Sequence, residues 1–431
     1  MKGNVEISDE LILSKLRIKE NEPIEIPELE KRLDLIYGTR YFSKVYYTID
    51  EPNESLIVNV RETSKTHLKF AAHYDSDNKA GIVLNLTSRN FIVPNSRIVA
   101  EYDLAQYPRF DLNYLKYIGG NQNIAALANF TWMDYETSSY WDISDSTDVG
   151  SKEGLTSLLN NSVINPYLGV QTTFASNMTI GSKVQYLSQF YTSIVSDSVV
   201  SNNNSYAFRK AKFKDWSVNA FYSFNNTDRQ FFPNKGLIMN IQLDYLFGRS
   251  NYIHFTSNQL GNLEATHYSP DLWLSDFSIL GIIPIIERLA MIAQFQLTIS
   301  NQDASIENSS HQTRIGGNRP MGWSVYSYDA VGADRFEVLN FSAIALQLRW
   351  EFKKDFFLTG KLDYLESEYP MKLFNSNYIS ENFDAYARRL GVGLRISYKS
   401  IVGPIEIGIA KDQYFKDAHV YFGFGYYLKN Q

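Results

Sequence analysis

The chain has 431 residues, a net charge of −6 and no cysteine, which excludes disulfide frameworks, Cys-ligated zinc and a thiol nucleophile and argues against a nucleic-acid partner. Aromatic residues make up 15%, with 30 Tyr and 27 Phe, more than a soluble core needs and what a barrel with aromatic girdles at two membrane interfaces uses. No apolar run approaches the roughly 18 residues of a membrane-spanning helix; the longest, Ile279 to Ile286, is interrupted by Gly281 and Pro284. The first residues lack the apolar stretch of a signal peptide, so an exported chain of this sequence is expected to be a mature form, a fragment or an excised piece.

Residues 1 to 62 read differently from the rest. Asn4 to Ile7 are expected to end a strand. Ser8 suits an N-cap, and Ile12 with Leu16 puts an i, i+4 apolar pair on the short helix that follows. A second helix is better marked: Pro27 suits its first turn, Leu29, Leu33 and Ile36 line one face, and Gly38 suits its end. Two β-rich runs, Phe42 to Ile49 and Ser55 to Val60, follow around a turn from Asp50 to Glu54. Strand, helix, helix, strand, strand is the order of a small α/β domain.

From about residue 65 a period of two recurs to the end of the chain. Leu68, Phe70, Ala72 and Tyr74 share one face, as do Trp216, Val218, Ala220, Tyr222 and Phe224, and later Val420, Phe422 and Phe424. The opposite faces carry Lys69, Asn85, Glu101, Arg349, Lys361, Asp363, Arg395 and Glu406. A soluble sheet this large would expose its edges. A membrane barrel turns the greasy face to lipid, removes the edges by closure and lines its lumen with the polar face. About sixteen antiparallel strands are expected, joined alternately by short turns (93–95, 228–233, 353–354) and by inserts, the longer ones at 138–163, 197–212, 249–267, 302–336 and 367–384. Short turns on one side and long loops on the other are the pattern of outer-membrane barrels. With a small domain ahead of the first strand, the short turns face the periplasm and the long loops face out.

The longest insert contains Arg314-Ile-Gly-Gly-Asn-Arg-Pro-Met-Gly-Trp323, between the alternating runs Leu289 to Leu297 and Ile344 to Phe352. Long loops within a compact domain are uncommon unless functional, and the glycines permit a tight reversal. No GxSxG, phosphate-loop, HExxH or EF-hand pattern occurs. The six His are scattered, and Asp142, Asp145 and Asp148 fit no standard calcium loop. No enzymatic activity, metal or cofactor is expected of these residues.

The wording LIYGTRYFSKVYYTID (Leu35 to Asp50), set in that order of elements, resembles a POTRA domain. POTRA domains precede the barrel in the superfamily of outer-membrane barrel-assembly proteins and two-partner secretion transporters. The resemblance implies a periplasmic POTRA over 1–62, a transmembrane β-barrel in the bacterial outer membrane over 63–431, and a strand edge at Val45, Tyr46, Tyr47, Thr48 and Ile49 that takes a client chain by strand addition. The family's loop motif is Gly-Gly, a few residues, then [VI]-Arg-Gly-[FY]. Gly316-Gly317 and Gly322-Trp323 are similar to it, with Met321 in the place of the arginine and Arg319 two positions earlier. In the family the loop folds into the lumen and its arginine meets a wall aspartate, which implies a receiving site at Gly360 and Asp363 with Arg319 as the cation. Gly403-Pro404-Ile405 resembles the start of the family's penultimate strand and VYFGFGYYL its closing strand, so the seam between last and first strands would hold Leu68, Phe70, Phe422 and Phe424. A single POTRA with this wording looks most like the C-terminal half of patatin-fused members, in which a patatin-like lipolytic domain comes first. The resemblance thus implies outer-membrane lipid as surroundings and one of three roles. These are an anchor or translocation barrel for such a fused lipolytic domain, an assembly or translocation factor for polypeptide clients, and a passive channel, which would not need the POTRA.

Overall fold

The computed structural model describes residues 1–16, 18, 23–38, 41–50, 52, 55–77, 79–119, 123–142, 154–174, 177–196, 199–201, 204–302, 310–318, 325–332, 336–367, 388–413 and 416–425.

At the N-terminus, helices α1 (Asp9–Leu16) and α2 (Ile26–Gly38) pack on a hairpin of β1 (Phe42–Asp50) and β2 (Ser55–Glu62). The Ser8 hydroxyl accepts the Leu11 amide at 3.3 Å, capping α1. Ile12, Leu16, Leu29, Leu33 and Ile36 meet Phe42, Val58 and Val60 in one dry core, because three- and four-residue spacing puts them on one face of each helix. Asn4 to Ile7 do not form the expected strand. Pairing there is a parallel bridge from Lys2 to Asn59, while the amides of Val5, Glu6 and Ile7 converge on one Glu62 oxygen at 2.9, 3.0 and 2.8 Å. Successive amides in a strand point to alternate sides and cannot converge so. The small sheet therefore runs Lys2, β2, β1, and β1 is an edge with no outer partner among the described residues.

Sixteen of the strands that follow close a barrel. In chain order they are β3 (Thr66–Asp75), β4 (Lys79–Arg89), β5 (Ser96–Ala105), β6 (Arg109–Ile118), β7 (Ile124–Asp142), β8 (Gly154–Thr173), β9 (Met178–Ser196), β11 (Asn204–Asn225), β12 (Gly236–Ser257), β14 (Leu272–Ile286), β15 (Leu289–Ser300), β19 (Phe341–Lys353), β20 (Phe356–Ser367), β21 (Arg388–Ser400), β22 (Gly403–Asp412) and β23 (His419–Gly425). Each pairs antiparallel with the next, and β23 pairs with β3 to complete the ring. Short β10 (Val199–Ser201) and β13 (Gly261–Tyr268) extend β11 and β12. Strands β16 (Thr313–Ile315), β17 (Val325–Tyr326) and β18 (Phe336–Val338) belong to the longest loop.

The greasy face points outward: Leu346 and Ile407 are 46% and 53% exposed, whereas Arg349 and Glu406 on the other face are 8% and 9% exposed. Aromatic girdles mark both rims of the apolar band. Phe356 lies 4.4 Å from Tyr398 and 6.1 Å from Phe352 at the end carrying the N-terminal domain. Tyr186 and Trp216 lie 5.0 Å apart, and Tyr245 and Trp273 4.6 Å apart, toward the far end.

Strands on one side run longer than the alternation suggests. The pairing of β7 with β8 continues to Asp142 and Gly154, β11 already begins at Asn204, and β12 reaches Ser257. Most of the expected inserts at 138–163, 197–212 and 249–267 are thus strand. These ribbons hold a core of their own, in which Leu159, Tyr191, Phe208, Ala211 and Phe213 are buried together. Only about 9–11 residues are needed to cross a bilayer, so the 22-residue β11 and β12 stand far above it. At the closure β3 has 10 residues, and β23 begins on the extracellular side at His419.

Candidate functional site

The described residues of the 301–340 loop, 310–318, 325–332 and 336–340, sit inside the lumen. Within the loop, β16 pairs parallel with β17 and antiparallel with β18. Ile315, Tyr326, Tyr328, Ala330, Val331 and Val338 share a dry core with wall residues Phe341, Ala343, Leu365 and Ala410. The reversal is at Gly316 and Gly317, with φ of +142° and +71°, a region that favours glycine.

The wall that receives it is built in register rows. Asp363, Gly391 and Asp412 stand side by side on β20, β21 and β22. Tyr326 donates its hydroxyl to Asp363 Oδ1 at 3.2 Å and Tyr328 donates to Asp412 Oδ2 at 2.7 Å. Gly391 makes room between them, since a Cβ there would lie 2.8 Å from the Tyr328 hydroxyl. Arg389 grips Asp412 through Nε and Nη2 at 3.0 and 3.3 Å. Lys361 Nζ sits between Asp329 Oδ1 at 3.2 Å and Asp363 Oδ2 at 3.0 Å. Arg395 donates to Asn318 Oδ1 at 2.8 Å, and the Tyr421 hydroxyl donates to Asp329 Oδ2 at 3.4 Å. On the opposite wall, His311 Nε2 is 2.7 Å from Asp215 Oδ2, and the Arg314 guanidinium lies 4.1 Å from the Tyr135 ring centre. The loop is strapped to both sides.

Burial alone would push the Asp329 carboxyl up, but Lys361 and Arg395 beside it outweigh burial and hold it below the usual carboxylate range. Burial, then the carboxylates of Asp363 and Asp329, raise the Tyr326 phenol well above its ordinary value. Burial and Asp412 raise that of Tyr328.

At the seam, β23 meets β3 through Gly423 with Asp75, Phe424 with Tyr74 and Gly425 with His73, plus the Ser76 amide donating to the Phe422 carbonyl at 2.9 Å. Gly425 has φ of +101°, and a Cβ there would lie 2.1 Å from the Ala72 carbonyl oxygen, so only glycine fits this crossing.

Residues 54–281, more than half of the chain, match the OMP85 superfamily, and residues 1–63 match the POTRA family, described as a surface antigen variable number repeat. The chain belongs to the OMP85 superfamily. A search of curated protein sequences returns no match. Among solved structures, BamA from Haemophilus ducreyi lacking POTRA domains 1–3 is similar at 13% identity and a TM-score of 0.64, over 99% of this chain and 83% of that one. CdiB from Acinetobacter baumannii is similar at 10% identity and 0.56, over 99% and 73%, and CdiB from Escherichia coli at 11% and 0.53, over 97% and 74%. These likenesses concern the fold. As an OMP85 barrel the protein resides in the bacterial outer membrane with its POTRA in the periplasm, so the short turns are periplasmic and the ribbons extracellular.

In this OMP85 barrel the expected site residues divide. Gly316 and Gly317 make the reversal and Asp363 faces the lumen, only 3% exposed. Arg319, Met321, Gly322 and Trp323 lie outside the described residues, and so does an Arg319–Asp363 pair. Gly360 does not belong to the receiving site. Three residues from Asp363 along a strand puts it on the opposite, lipid-facing side, and a Cβ there would meet nothing within 4 Å; Lys361 faces inward in its stead. Sequence reasoning missed Tyr326, Tyr328, Asp329, Arg389 and Asp412, although the Tyr-Ser-Tyr-Asp wording of 326–329 carried a signal in its alternation. Among the described contacts, the carboxylate Asp329 on the loop meets the cations Lys361 and Arg395 on the wall. At the seam, Phe422 and Phe424 flank the Tyr74 ring, with centroids 6.0 and 6.2 Å away. Leu68 and Phe70 face lipid, and the chain that follows Gly425 along β3 lies outside the described residues, so their place at the seam does too. On the POTRA, Val45 and Tyr47 turn to the domain's core, whereas Tyr46 and Ile49 are exposed and Thr48 lies beside them on edge strand β1. The POTRA joins the barrel through Arg89, which donates to Thr63 Oγ1 at 2.7 Å and lies 4.9 Å from the centre of the Tyr41 ring. Lys65 and Glu6 pair beside it at 2.6 Å.

Proposed function

We propose that this OMP85 chain handles polypeptide at the outer membrane, as anchor and translocation barrel, with the β3–β23 seam as its opening part and the lumen loop as its stopper. The observation that carries this reading is the irregular crossing at the seam, where β23 meets β3 at Gly425, whose φ is +101° and where a Cβ would lie 2.1 Å from the Ala72 carbonyl oxygen. The seam joins the first barrel strand to the last and so is the junction that can part without opening a hairpin, each backbone hydrogen bond lost there costing about 0.5–1.5 kcal/mol net. The β1 edge gives a second place where an extended chain adds by main-chain hydrogen bonding.

In the finer version, the polypeptide is a patatin-like lipolytic domain joined ahead of the POTRA, a reading supported by the wording from Leu35 to Asp50. In the alternative, clients are separate outer-membrane or secreted chains, which the exposed Tyr46 and Ile49 at the β1 edge favour. A passive channel draws no support from a lumen that a loop crosses from wall to wall. The test is a photo-crosslinking residue placed at Tyr46 and, separately, at Phe422 in living cells. Polypeptide adducts at both sites are expected, and their sequence tells a fused domain from a separate client. Lipid adducts alone at Phe422, with none at Tyr46, would refute the reading.

A further inference from the structure

Strand β11 changes character where it leaves the bilayer. Its outward side chains from Phe224 up through Tyr222, Ala220 and Val218 to Trp216 are nonpolar or aromatic, and nine residues is the length that crosses a membrane. The next outward positions are Lys214, Lys212 and Lys210, while Ala211, Phe213 and Asp215 between them are buried on the inner face. Trp216 with Tyr186 forms the extracellular girdle, so the lysines begin one step above the edge of the hydrocarbon. Successive lysines on one face are about 6.8 Å apart, and the row spans about 14 Å.

Nothing in the described residues neutralises this row. No ion pair joins any of the three lysines to a described carboxylate; Lys210 lies 5.4 Å from the centre of the Tyr252 ring. The outward neighbours in register are Thr192, Phe190 and Ser188 on β9 and His254, Tyr252 and Ser250 on β12. The nearest outward carboxylate is Glu264 on β13, two strands away and facing His254 at 3.9 Å. Asp134 and Glu136 stand on β7, three strands away, at about 14 Å. Three like charges in a row at a membrane surface call for a counter-charge fixed at the same height, and that is where lipid headgroups lie.

We propose that the Lys210–Lys212–Lys214 row is a binding site for a phosphorylated, acylated lipid of the outer leaflet. The phosphates sit on the lysines, and the acyl chains lie on Trp216, Val218 and the nonpolar wall below. Phe190, 39% exposed beside Lys212, lets the stems and the upper acyl carbons share one surface.

The test uses the whole chain, purified in detergent, and native mass spectrometry with bis-phosphorylated lipid A as the probe, its dephosphorylated form and inorganic phosphate. The K210Q/K212Q/K214Q variant is expected to bind lipid A at least tenfold more weakly, and the corresponding triple arginine variant to keep binding. Lys353→Gln with Lys354→Gln, at a periplasmic turn, is expected to change nothing. Unboiled gel mobility verifies that each barrel is folded. Absence of binding by the parent chain overturns the proposal. So does equal binding by the glutamine variant, equal binding of the dephosphorylated lipid, or displacement of lipid A by inorganic phosphate at similar concentration.

Discussion

Lys361 is the residue on which the docked loop depends most. Its ammonium is buried between Asp329 from the loop and Asp363 from the wall, so its removal leaves two carboxylates without their shared counter-charge. Breaking such a pair costs about 3–5 kcal/mol. Lys361→Met is expected to lower stability by roughly that much in urea unfolding, and adding Asp329→Asn is expected to recover part of the loss, a coupling that a double-mutant cycle reads. The pH dependence has a definite sign. Asp329 is depressed by Lys361 and Arg395 against the effect of burial, so its contribution is complete above the unfolded value of about 3.9 and is lost as pH falls through its lower folded value. Tyr326 is raised by burial and by Asp363, so its contribution is complete below about 10 and is lost as pH rises through its higher one. These two contributions are therefore expected to stay level from about pH 5 to 9. Within that window protease protection of the loop is expected to weaken only as pH rises past the value of His419, which is raised first by Asp77 and whose Nδ1 lies 2.9 Å from the Asp329 carbonyl oxygen; loss on going from about pH 7 down to about 5 would contradict these pairings. The inward aspect of Asp363 and the reversal at Gly316–Gly317 were legible in sequence, because strand periodicity sets the first and glycine chemistry the second. Asp329 was not, since its partner depends on how an aperiodic loop folds. The misplacement of Gly360 follows from matching a motif without counting its parity against Asp363.

Among elements, the row Asp363–Gly391–Asp412 and the seam make separate demands. A side chain at Gly391 meets the Tyr328 hydroxyl head-on, so Gly391→Val is expected to unseat the loop while the barrel still folds. Planar-bilayer conductance should rise toward that of a loop-deleted barrel; an unchanged trace would mean that the loop does not close the lumen. The chain has no cysteine, so Tyr74→Cys with Phe424→Cys, a register pair, gives a clean disulfide across the seam. Oxidation is expected to abolish surface appearance of the partner polypeptide, with recovery on reduction. The barrel strands were readable because each carries one greasy and one wet face over its membrane crossing. The extracellular ribbons were not, because above the bilayer both faces mix polar and apolar residues, and their burial comes from a local cluster around Tyr191 and Phe213.

For the molecule as a whole, lipid contact on the outside and a polar lumen inside follow from the direction in which the greasy face points, while orientation follows from the short turns at the end carrying the POTRA. Leu346→Arg, on the lipid side of β19, is expected to destabilise the barrel by about 2–4 kcal/mol if it lies near the midplane, measured as bilayer-dependent refolding. A loss below about 0.5 kcal/mol would argue against lipid contact there. What no alternation predicted is that the wall differs in height around the ring. Strands of 22 residues rise on one flank, whereas at the seam β3 already ends at Asp75 and β23 starts only at His419, so the extracellular rim is cut on a slant like a quill. A chain released sideways at the low flank would enter open solvent at once, while the tall flank stands behind it as a screen, giving a cylinder of near-repetitive hairpins a front and a back.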